Sequence, residues 1–433
     1  MNQRTEPLHA PPVRLSFAMW GLAACFYLLD FFQRVSPAAL ALDLSREIAN
    51  SAVALGSLSS AYFITYAGCQ LPGGLLIDRY GSRKVLAGAA LLGMTGALVF
   101  SQAHTAGSAA IGRLIIGAAG AVAWVGMLKL ASHWFSPKRF AGITGLSLAV
   151  GGLGGVLSGL PLRLLSDAFG WREVIVGSAL VALILALTLY WWLRDEPEQM
   201  GYANYAHPAP QSDQPLKRPW RDLSLLCLGQ VGVTGSMAAM AWLWSVPYLT
   251  SQFSLPPATA TIYSSLMIVG FSAGGVFFGQ YSDRIERRKQ PLLIGSTLTA
   301  LGFGILATGV LQVSLYATVA VLWLLSFAAG SMVLSFVFAK DLVHGQRTGT
   351  IVALVNLSVM VGSIGLPPVF GAILDAFWTG QMEAGVRQYP AQAYSWAFAF
   401  LGGWIAMTLV FQSLVHEPKR HSHRIVDANQ SGR

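Results

Sequence analysis

Two ionisable residues, Asp30 and Arg34, stand four positions apart inside one long apolar stretch. That spacing puts both side chains on the same face of a helix, where they can pair. Burial favours the neutral form of a carboxyl group, while a neighbouring guanidinium favours its charged form. Asp30 is therefore a candidate for binding and releasing a proton in exchange for its pairing with Arg34. The alternative is a permanent ion pair that only neutralises itself.

Arg34 and a second arginine, Arg113, suggest another chemistry, because both lie within apolar stretches. Guanidinium groups hold carboxylates or phosphates in a bidentate geometry. This favours an anionic organic ligand, with an internal salt bridge as the alternative. The apolar stretches of the second half contain no deeply placed Lys or Arg, which argues against a strongly charged phosphate ligand.

Polar and aromatic residues elsewhere in the apolar stretches could line a pocket. Tyr and Trp are also common at membrane interfaces, so each one alone is more often a packing or interface residue. Amide side chains in an apolar setting need hydrogen-bond partners, which strengthens the case for Gln230 and Asn356. The candidates for pocket lining are Tyr62, Tyr66, Trp124, Gln230, Trp242, Tyr263, Trp323 and Asn356.

The composition shows what kind of element must position these residues. The chain has 433 residues, of which 54% are hydrophobic and 11% charged, against about 25% charged in a soluble domain. Apolar runs of about 20 residues, the length needed to cross a bilayer as a helix, recur about twelve times. We therefore predict an all-α polytopic membrane protein. The expected spans are 16–37, 52–77, 84–104, 108–131, 141–165, 173–193, 223–249, 259–281, 290–311, 314–339, 349–376 and 393–415.

Basic residues in short loops predict the orientation, because Lys and Arg accumulate on the cytoplasmic side of a membrane. The segments expected outside contain only Arg46, Arg163, Arg172 and Arg387. An even number of spans with both termini in the cytoplasm follows. A polar, proline-containing segment suited to a flexible connection then divides the chain. We expect a six-helix bundle at 1–193, a cytoplasmic linker at 194–222, a second six-helix bundle at 223–416 and a cytoplasmic tail at 417–433.

The charged loop between spans 2 and 3 has a second copy between spans 8 and 9. Its first copy runs from Gly74 to Lys84, and the acidic residue of the second copy, Asp283, lies 205 positions after Asp78 (283 − 78). That displacement is close to half the chain and indicates two repeated halves. The second copy departs from the first by placing Glu286 at the position of Gly81. The other residues of the pattern are Arg79, Arg83 and Lys84 in the first copy and Gly279, Arg284 and Arg288 in the second.

Six spans followed by six, with this Gly-x-x-x-Asp-Arg-x-Gly-x-Arg-Lys loop, resemble the major facilitator superfamily (MFS) of secondary transporters. Arg113, Gly117 and Ala121 are also similar to that family's Arg-x-x-x-Gly-x-x-x-Ala pattern in span 4. The resemblance implies a fold of two six-helix halves that act as a monomer and rock around a solute near the bilayer midplane. It also implies that the charged loops form a conformational latch. The alternative is that their charges merely fix the topology.

The arrangement Tyr27-x-x-Asp30-x-x-x-Arg34 is similar to that of the organic-anion symporters of this superfamily. It implies proton-coupled uptake of a small solute by a multi-pass protein of the bacterial cytoplasmic membrane. Proton-coupled efflux of a drug or metabolite is the alternative. Antiporters of the superfamily carry a Gly-Pro pair in span 5, whereas here Val156 follows Gly155, so efflux is less favoured.

Other classes are disfavoured by the sequence. It contains no metal-ligand spacing, nucleophile elbow or phosphate-cradling loop, so we expect neither an enzyme nor a bound cofactor or metal. The net charge of +9 comes without a nucleic-acid-reading motif, so we expect no nucleic-acid partner. A membrane receptor or sensor would share the hydropathy but would not predict a charged loop repeated at half the chain length.

Overall fold

A computed structural model describes residues 9–205, 219–342, 348–383 and 385–417. The first half consists of nine helices. In chain order they are α1 (Val13–Val35), α2 (Ala41–Glu47), α3 (Ala52–Tyr80), α4 (Ser82–Ser101), α5 (Ala106–Gly120), α6 (Ala123–Trp134), α7 (Pro137–Leu157), α8 (Leu160–Phe169) and α9 (Trp171–Trp192). A short 3-10 helix, Pro197–Met200, follows. The middle of the predicted linker, 206–218, and the tail from 418 onward lie outside the described residues.

The second half has a similar order of elements and adds a two-stranded hairpin before its last helix. Its α-helices are α10 (Pro219–Ala239), α11 (Ser245–Phe253), α12 (Pro257–Arg284), α13 (Lys289–Ala307), α14 (Leu315–Ala329), α15 (Val333–Leu342), α16 (Thr348–Ala376) and α17 (Ala391–Leu414). A π-helical turn, Met240–Trp244, joins α10 to α11, and 3-10 turns lie at Val310–Val313 and Gly330–Met332. The antiparallel strands are β1 (Met382–Glu383) and β2 (Val386–Arg387).

Twelve of these helical segments are long and apolar enough to cross a membrane, which confirms the predicted number. Large apolar side chains such as Trp191 and Val276 are more than half exposed, as expected where a helix faces lipid rather than water. Four spans consist of two consecutive helical pieces: α5 with α6, α7 with α8, α10 with α11, and α14 with α15. Gly159, Pro161 and Gly330 stand at two of these breaks, where helix geometry is weakest.

The spans have two ends, which we name by their residues. The charged-loop end holds Asp78 and Asp283, and the opposite end holds Ala52 and Asp375. Helix α3 of the first half packs along α16 of the second half, and their backbones approach closely toward the opposite end. A Cβ at Gly56 would lie only 2.5 Å from the carbonyl oxygen of Pro367. Glycine at this position therefore allows the two halves to meet.

Two consecutive prolines, Pro367 and Pro368, stand inside α16. Proline has no backbone N–H, so the carbonyl four residues before it loses its helical partner. For Pro367 that carbonyl belongs to Ser363, and it accepts a hydrogen bond of 3.4 Å from the hydroxyl of Ser60 on α3. The broken hydrogen bond inside α16 is replaced by one between the halves.

Candidate functional site

Asp30, Arg34 and Tyr62 form a closed triangle of hydrogen bonds between α1 and α3. An Nη of Arg34 lies 2.8 Å from one oxygen of Asp30, as the spacing of four residues predicts. The Tyr62 hydroxyl donates to the other oxygen of Asp30 at 2.6 Å and accepts from Nε of Arg34 at 3.0 Å. The Asp30 side chain is only 1% exposed. Both carboxylate oxygens are therefore occupied by groups from the chain itself.

The Arg34 guanidinium lies among three aromatic rings. Its central carbon is 4.4 Å from the ring centre of Phe31, 4.7 Å from that of Tyr66 and 5.3 Å from that of Tyr62. Tyr62 and Tyr66 also stack on each other, with ring centres 5.6 Å apart. Cations are attracted to aromatic faces, most strongly where water is excluded. The rings thus surround the guanidinium and hold it in place.

Arg113 on α5 has a different environment from Arg34. It is fully buried, and its two terminal nitrogens donate to the backbone carbonyls of Gln33 at 2.5 Å and Arg34 at 3.0 Å. These carbonyls belong to the last turn of α1, where helical partners are missing. The sequence suggested that Arg113 could hold a solute, but this geometry favours a role in anchoring the turn that carries Arg34.

Small residues on α5 make room for the triangle. A Cβ at Gly120 would lie 2.0 Å from an oxygen of Asp30 and 2.5 Å from the Tyr62 hydroxyl. A Cβ at Gly117 would lie 2.0 Å from the Tyr62 carbonyl oxygen. Ala121, the third small residue of the pattern, is 1% exposed. The glycines therefore allow α5 to approach the faces of α1 and α3 that carry Asp30 and Tyr62.

Tyr27 lies one turn before Asp30 on α1 and extends the aromatic surface beside the triangle. Its ring centre is 5.5 Å from that of Phe31 and 5.2 Å from that of Trp124. The Trp124 side chain is half-buried, so part of it remains accessible. The structure therefore brings together Tyr27, Tyr62, Tyr66 and Trp124 around Asp30 and Arg34.

The remaining pocket candidates all lie in the second half. Trp242 on the π-helical turn stacks on Phe63 of the first half, with ring centres 5.9 Å apart. Gln230 is fully buried instead: it accepts from the Ser335 hydroxyl at 2.9 Å and donates to a carbonyl of the same half. Half-buried positions are held by Tyr263 on α12, Trp323 on α14 and Asn356 on α16.

The first charged loop is joined to span 4. Asp78 accepts a hydrogen bond of 2.7 Å from Lys129 on α6, although its own side chain is 72% exposed. Arg79 lies over the ring of Tyr80 and Arg83 over that of Tyr190. A Cβ at Gly74 would meet no atom within 4 Å, so close packing does not require glycine there. Lys84 is exposed.

The second charged loop has its own ion pairs. Arg288 lies 2.6 Å from Asp283 and 3.5 Å from Asp341 on α15. Arg284 is exposed, and nothing would contact a Cβ at Gly279. Glu286 has a positive φ of 56°, and its counterpart Gly81 has a φ of 82°. Both loops thus have a residue of positive φ at this position, although the residue types differ.

Two acidic residues that the sequence reasoning missed cap the helices after these loops. Asp195 accepts from the backbone N–H of Arg83 at 2.7 Å, at the start of α4. Glu417 accepts from the backbone N–H groups of Arg288 and Lys289, at the start of α13. Carboxylates at helix N-termini satisfy free N–H groups. The signal available in the sequence is an acidic residue one or two positions before a proline shortly after spans 6 and 12: Asp195 stands two positions before Pro197, and Glu417 directly precedes a proline.

Comparison with known proteins gives consistent results over most of the chain. The sequence profile of the Major Facilitator Superfamily matches residues 19–248 and 226–432. A protein of Agrobacterium vitis named "Putative tartrate transporter" is 23% identical over 88% of this chain and 89% of its own length. The hexuronate transporter of Bacillus subtilis is 22% identical over 80% and 85%. The crystal structure of a bacterial homologue of the human lysosomal transporter Spinster superposes with a TM-score of 0.70 at 17% identity, covering 94% of this chain and 96% of that one.

Proposed function

Because the chain belongs to the major facilitator superfamily of secondary transporters, we propose that it moves a small anionic organic solute across the membrane together with a proton. The observation that carries this proposal is the buried triangle of Asp30, Arg34 and Tyr62. A buried carboxylate paired with one arginine is costly to keep. Such a pair is useful where the carboxylate of Asp30 must release Arg34 and bind it again during each transport cycle.

The proposed exchange begins with protonation of Asp30. A neutral carboxyl group holds a guanidinium less strongly than a carboxylate does, because charged hydrogen bonds are about twice as strong as neutral ones. The Arg34 fork can then receive the carboxylate of a solute in a bidentate geometry. The hydroxyl of Tyr62 adjoins both groups and can turn its proton from Asp30 toward the solute. Loss of the Asp30 proton restores the ion pair and expels the solute.

The ion pair also explains why solute and proton would move together. While Asp30 is ionised, a solute carboxylate must compete with a tethered carboxylate 2.8 Å from Arg34. While Asp30 is protonated and no solute is bound, Arg34 is left as a poorly neutralised buried charge, which is strongly unfavourable. The two favourable states therefore contain either both ligands or neither.

We further propose that residues 1–193 and 223–416 are the two moving halves of a monomer in the bacterial cytoplasmic membrane, with both termini cytoplasmic. The charged loops would then form a cytoplasmic latch that favours one opening. Support comes from the Asp78–Lys129 and Asp283–Arg288 contacts at one end of the spans. Relatives named for tartrate and hexuronate transport handle acids with carboxylate groups, which guides the choice of solutes.

The test uses purified protein in liposomes with an imposed pH gradient. Tartrate and glucuronate are offered first, followed by a broader set of organic acids, with neutral sugars of similar size as controls. We expect uptake of an acid to accompany proton entry. Asp30→Asn should remove the dependence on the gradient, because an amide cannot release a proton. Arg34→Lys keeps the positive charge but loses the guanidinium group that can bind a carboxylate through two parallel hydrogen bonds. It should therefore weaken solute binding about tenfold or more.

Two results would reject the proposal. One is an Asp30→Asn variant that keeps both its transport rate and its pH dependence. The other is a preference for neutral sugars that Arg34→Lys leaves unchanged. Movement of the solute against the direction of the proton would instead establish the export alternative.

A further inference from the structure

A second cluster of charged groups joins the two halves at the opposite end, about the side chain of Asp375. Asp375 lies in the last turn of α16, in the second half. One carboxylate oxygen accepts from the backbone N–H of Ala52 at 3.1 Å, and the other accepts from that of Val53 at 2.9 Å. Ala52 and Val53 are the first two residues of α3, in the first half. A carboxylate of one half thus caps a transmembrane helix of the other.

The cap completes the N-terminus of α3. The first four N–H groups of a helix have no partner within the helix. Ser51 accepts from the N–H of Ala54 at 3.1 Å, and Asp375 provides acceptors for Ala52 and Val53. A carboxylate also interacts favourably with the positive end of the helix dipole. If the halves separated at this end, these N–H groups would lose their partner.

Arg387, the last residue of the hairpin, and Tyr389, two positions after it, hold the carboxylate in place. The Tyr389 hydroxyl donates to Asp375 at 2.9 Å and accepts from the N–H of Ala52 at 3.1 Å, so it contacts both halves. Burial and the neighbouring Asp375 charge raise the pKa of Tyr389 above its ordinary value, so the phenol keeps the proton that it donates. Arg387 of β2 lies 3.1 Å from the same carboxylate and over the ring of Trp378 at 4.1 Å.

Close backbone contact follows directly below this cluster. A Cβ at Gly371 would lie 2.4 Å from the carbonyl oxygen of Ala52. A cavity of about 350 Å³ lies beside the cluster, with walls from both halves that include Asn50, Ser51, Trp244, Thr250 and Arg387. The cluster is therefore part of the seam between the halves, and any opening at this end must break it.

We propose that Asp375, with Tyr389 and Arg387, is the clasp that holds the opposite end closed, and that its release is a required step of alternating access. The bonds that join the halves run from the backbone N–H groups of Ala52 and Val53 to Asp375 and Tyr389, and they can form in only one of the two arrangements. The clasp therefore stabilises the state that is closed at this end relative to the open state by the free energy of these bonds. It does not involve the solute site, because the two clusters share no residue.

The test measures the distance between the halves without any solute. Spin labels are attached to cysteines at positions 104 and 313, in exposed loops of the two halves at the opposite end. The background replaces Cys25, Cys69 and Cys227. Pulsed electron spin resonance on protein in nanodiscs then gives the distribution of label distances. We expect one dominant short distance in the unmutated clasp. Asp375→Asn should raise the ratio of long to short distances about tenfold or more, because at least one charged hydrogen bond is lost.

Matched variants separate the clasp from general effects of charge and folding. Glu383→Gln removes an exposed acid from the neighbouring hairpin and should leave the distribution unchanged. Tyr389→Phe keeps the ring and should produce a smaller shift in the same direction as Asp375→Asn. A second label pair at positions 104 and 169, both in the first half, should keep its distance in every variant if that half remains folded.

The proposal is overturned if Asp375→Asn and Tyr389→Phe keep the short distance as fully as Glu383→Gln does. It is also overturned if the pair at 104 and 169 changes together with the pair at 104 and 313, because the effect would then be unfolding. Neither outcome bears on the roles of Asp30 and Arg34, which depend on transport assays.

Discussion

Gly120 lies so close to Asp30 that a Cβ at position 120 would be 2.0 Å from the carboxylate oxygen. Two non-bonded atoms cannot approach that closely, so Asp30 can keep its position on α1 only while residue 120 of α5 is glycine. We expect Gly120→Ala to displace Asp30, break its bond to Tyr62 and reduce proton-coupled uptake about tenfold or more, the effect of losing a charged hydrogen bond.

The matched control for this prediction is Gly107→Ala in the same helix. There a Cβ would meet only the Thr105 hydroxyl, at an ordinary distance of 4.0 Å. Uptake into liposomes and elution during size-exclusion chromatography would be compared for both variants. Equal uptake by the two folded variants would contradict the close contact between α5 and Asp30.

Arg34 and Arg113 should respond differently to substitution, although both are buried arginines of the first half. Arg113 donates two charged hydrogen bonds to backbone carbonyls, each with a net value of about 1.5 kcal/mol or more. Arg113→Gln should therefore lower the free energy of unfolding by about 3 kcal/mol, with a smaller rise in KM than Arg34→Lys in the protein that remains folded. Arg34→Lys should raise KM with a smaller loss of stability. Thermal melts and uptake kinetics on the same samples distinguish the two, and a larger KM effect for Arg113→Gln would restore it as a solute ligand.

Asp195 and Glu417 should stabilise the protein independently, because they cap different helices in different halves. Replacing a helix-capping side chain by alanine costs about 1 kcal/mol, so Asp195→Ala and Glu417→Ala should each lower the melting temperature. Their effects should add in the double variant, as expected for distant sites. Glu196→Ala, next to Asp195, serves as the control and should melt like the unmutated protein. A double variant no less stable than either single variant would show that the caps are coupled.

Gly81 and Glu286 occupy equivalent positions in the repeat but should tolerate alanine unequally. Gly81→Ala places a Cβ 2.4 Å from the Asp195 carboxylate on a backbone with φ of 82° and ψ of 158°, and that combination alone costs a non-glycine residue about 1–3 kcal/mol. At position 286 a non-glycine residue already adopts a positive φ, so Glu286→Ala should be nearly neutral. Denaturation monitored by tryptophan fluorescence would measure the difference, and equal losses would contradict it.

The features that the sequence predicted depend on local spacing. Twelve spans follow from the lengths of the apolar runs, and the Asp30–Arg34 pair follows from helical periodicity. Tyr62 was only a pocket candidate, because its bond to Asp30 crosses 32 positions of sequence. Periodicity within one helix cannot show which residue of another helix will contact it.

The contacts between distant segments had little or no signal in the sequence. Asp375 resembles an ordinary acid at the end of a span, and its partner Ala52 lies 323 positions earlier. Arg113 was correctly identified as an unusual buried charge, but its type did not reveal that backbone carbonyls would use both terminal nitrogens. Such bonds depend on how helices pack, which the order of residue types along one helix does not specify.

The paired prolines of α16 give the boundary between the halves an additional property. Because Pro367 provides no N–H, the carbonyl of Ser363 has no hydrogen-bond donor within its own helix. It can therefore exchange the Ser60 hydroxyl for water or another donor. A helix that lacks one backbone hydrogen bond is also easier to bend at that point. The two halves are thus joined at a point where α16 can bend. Separating the halves there breaks the bond to Ser60 but no further hydrogen bond within α16.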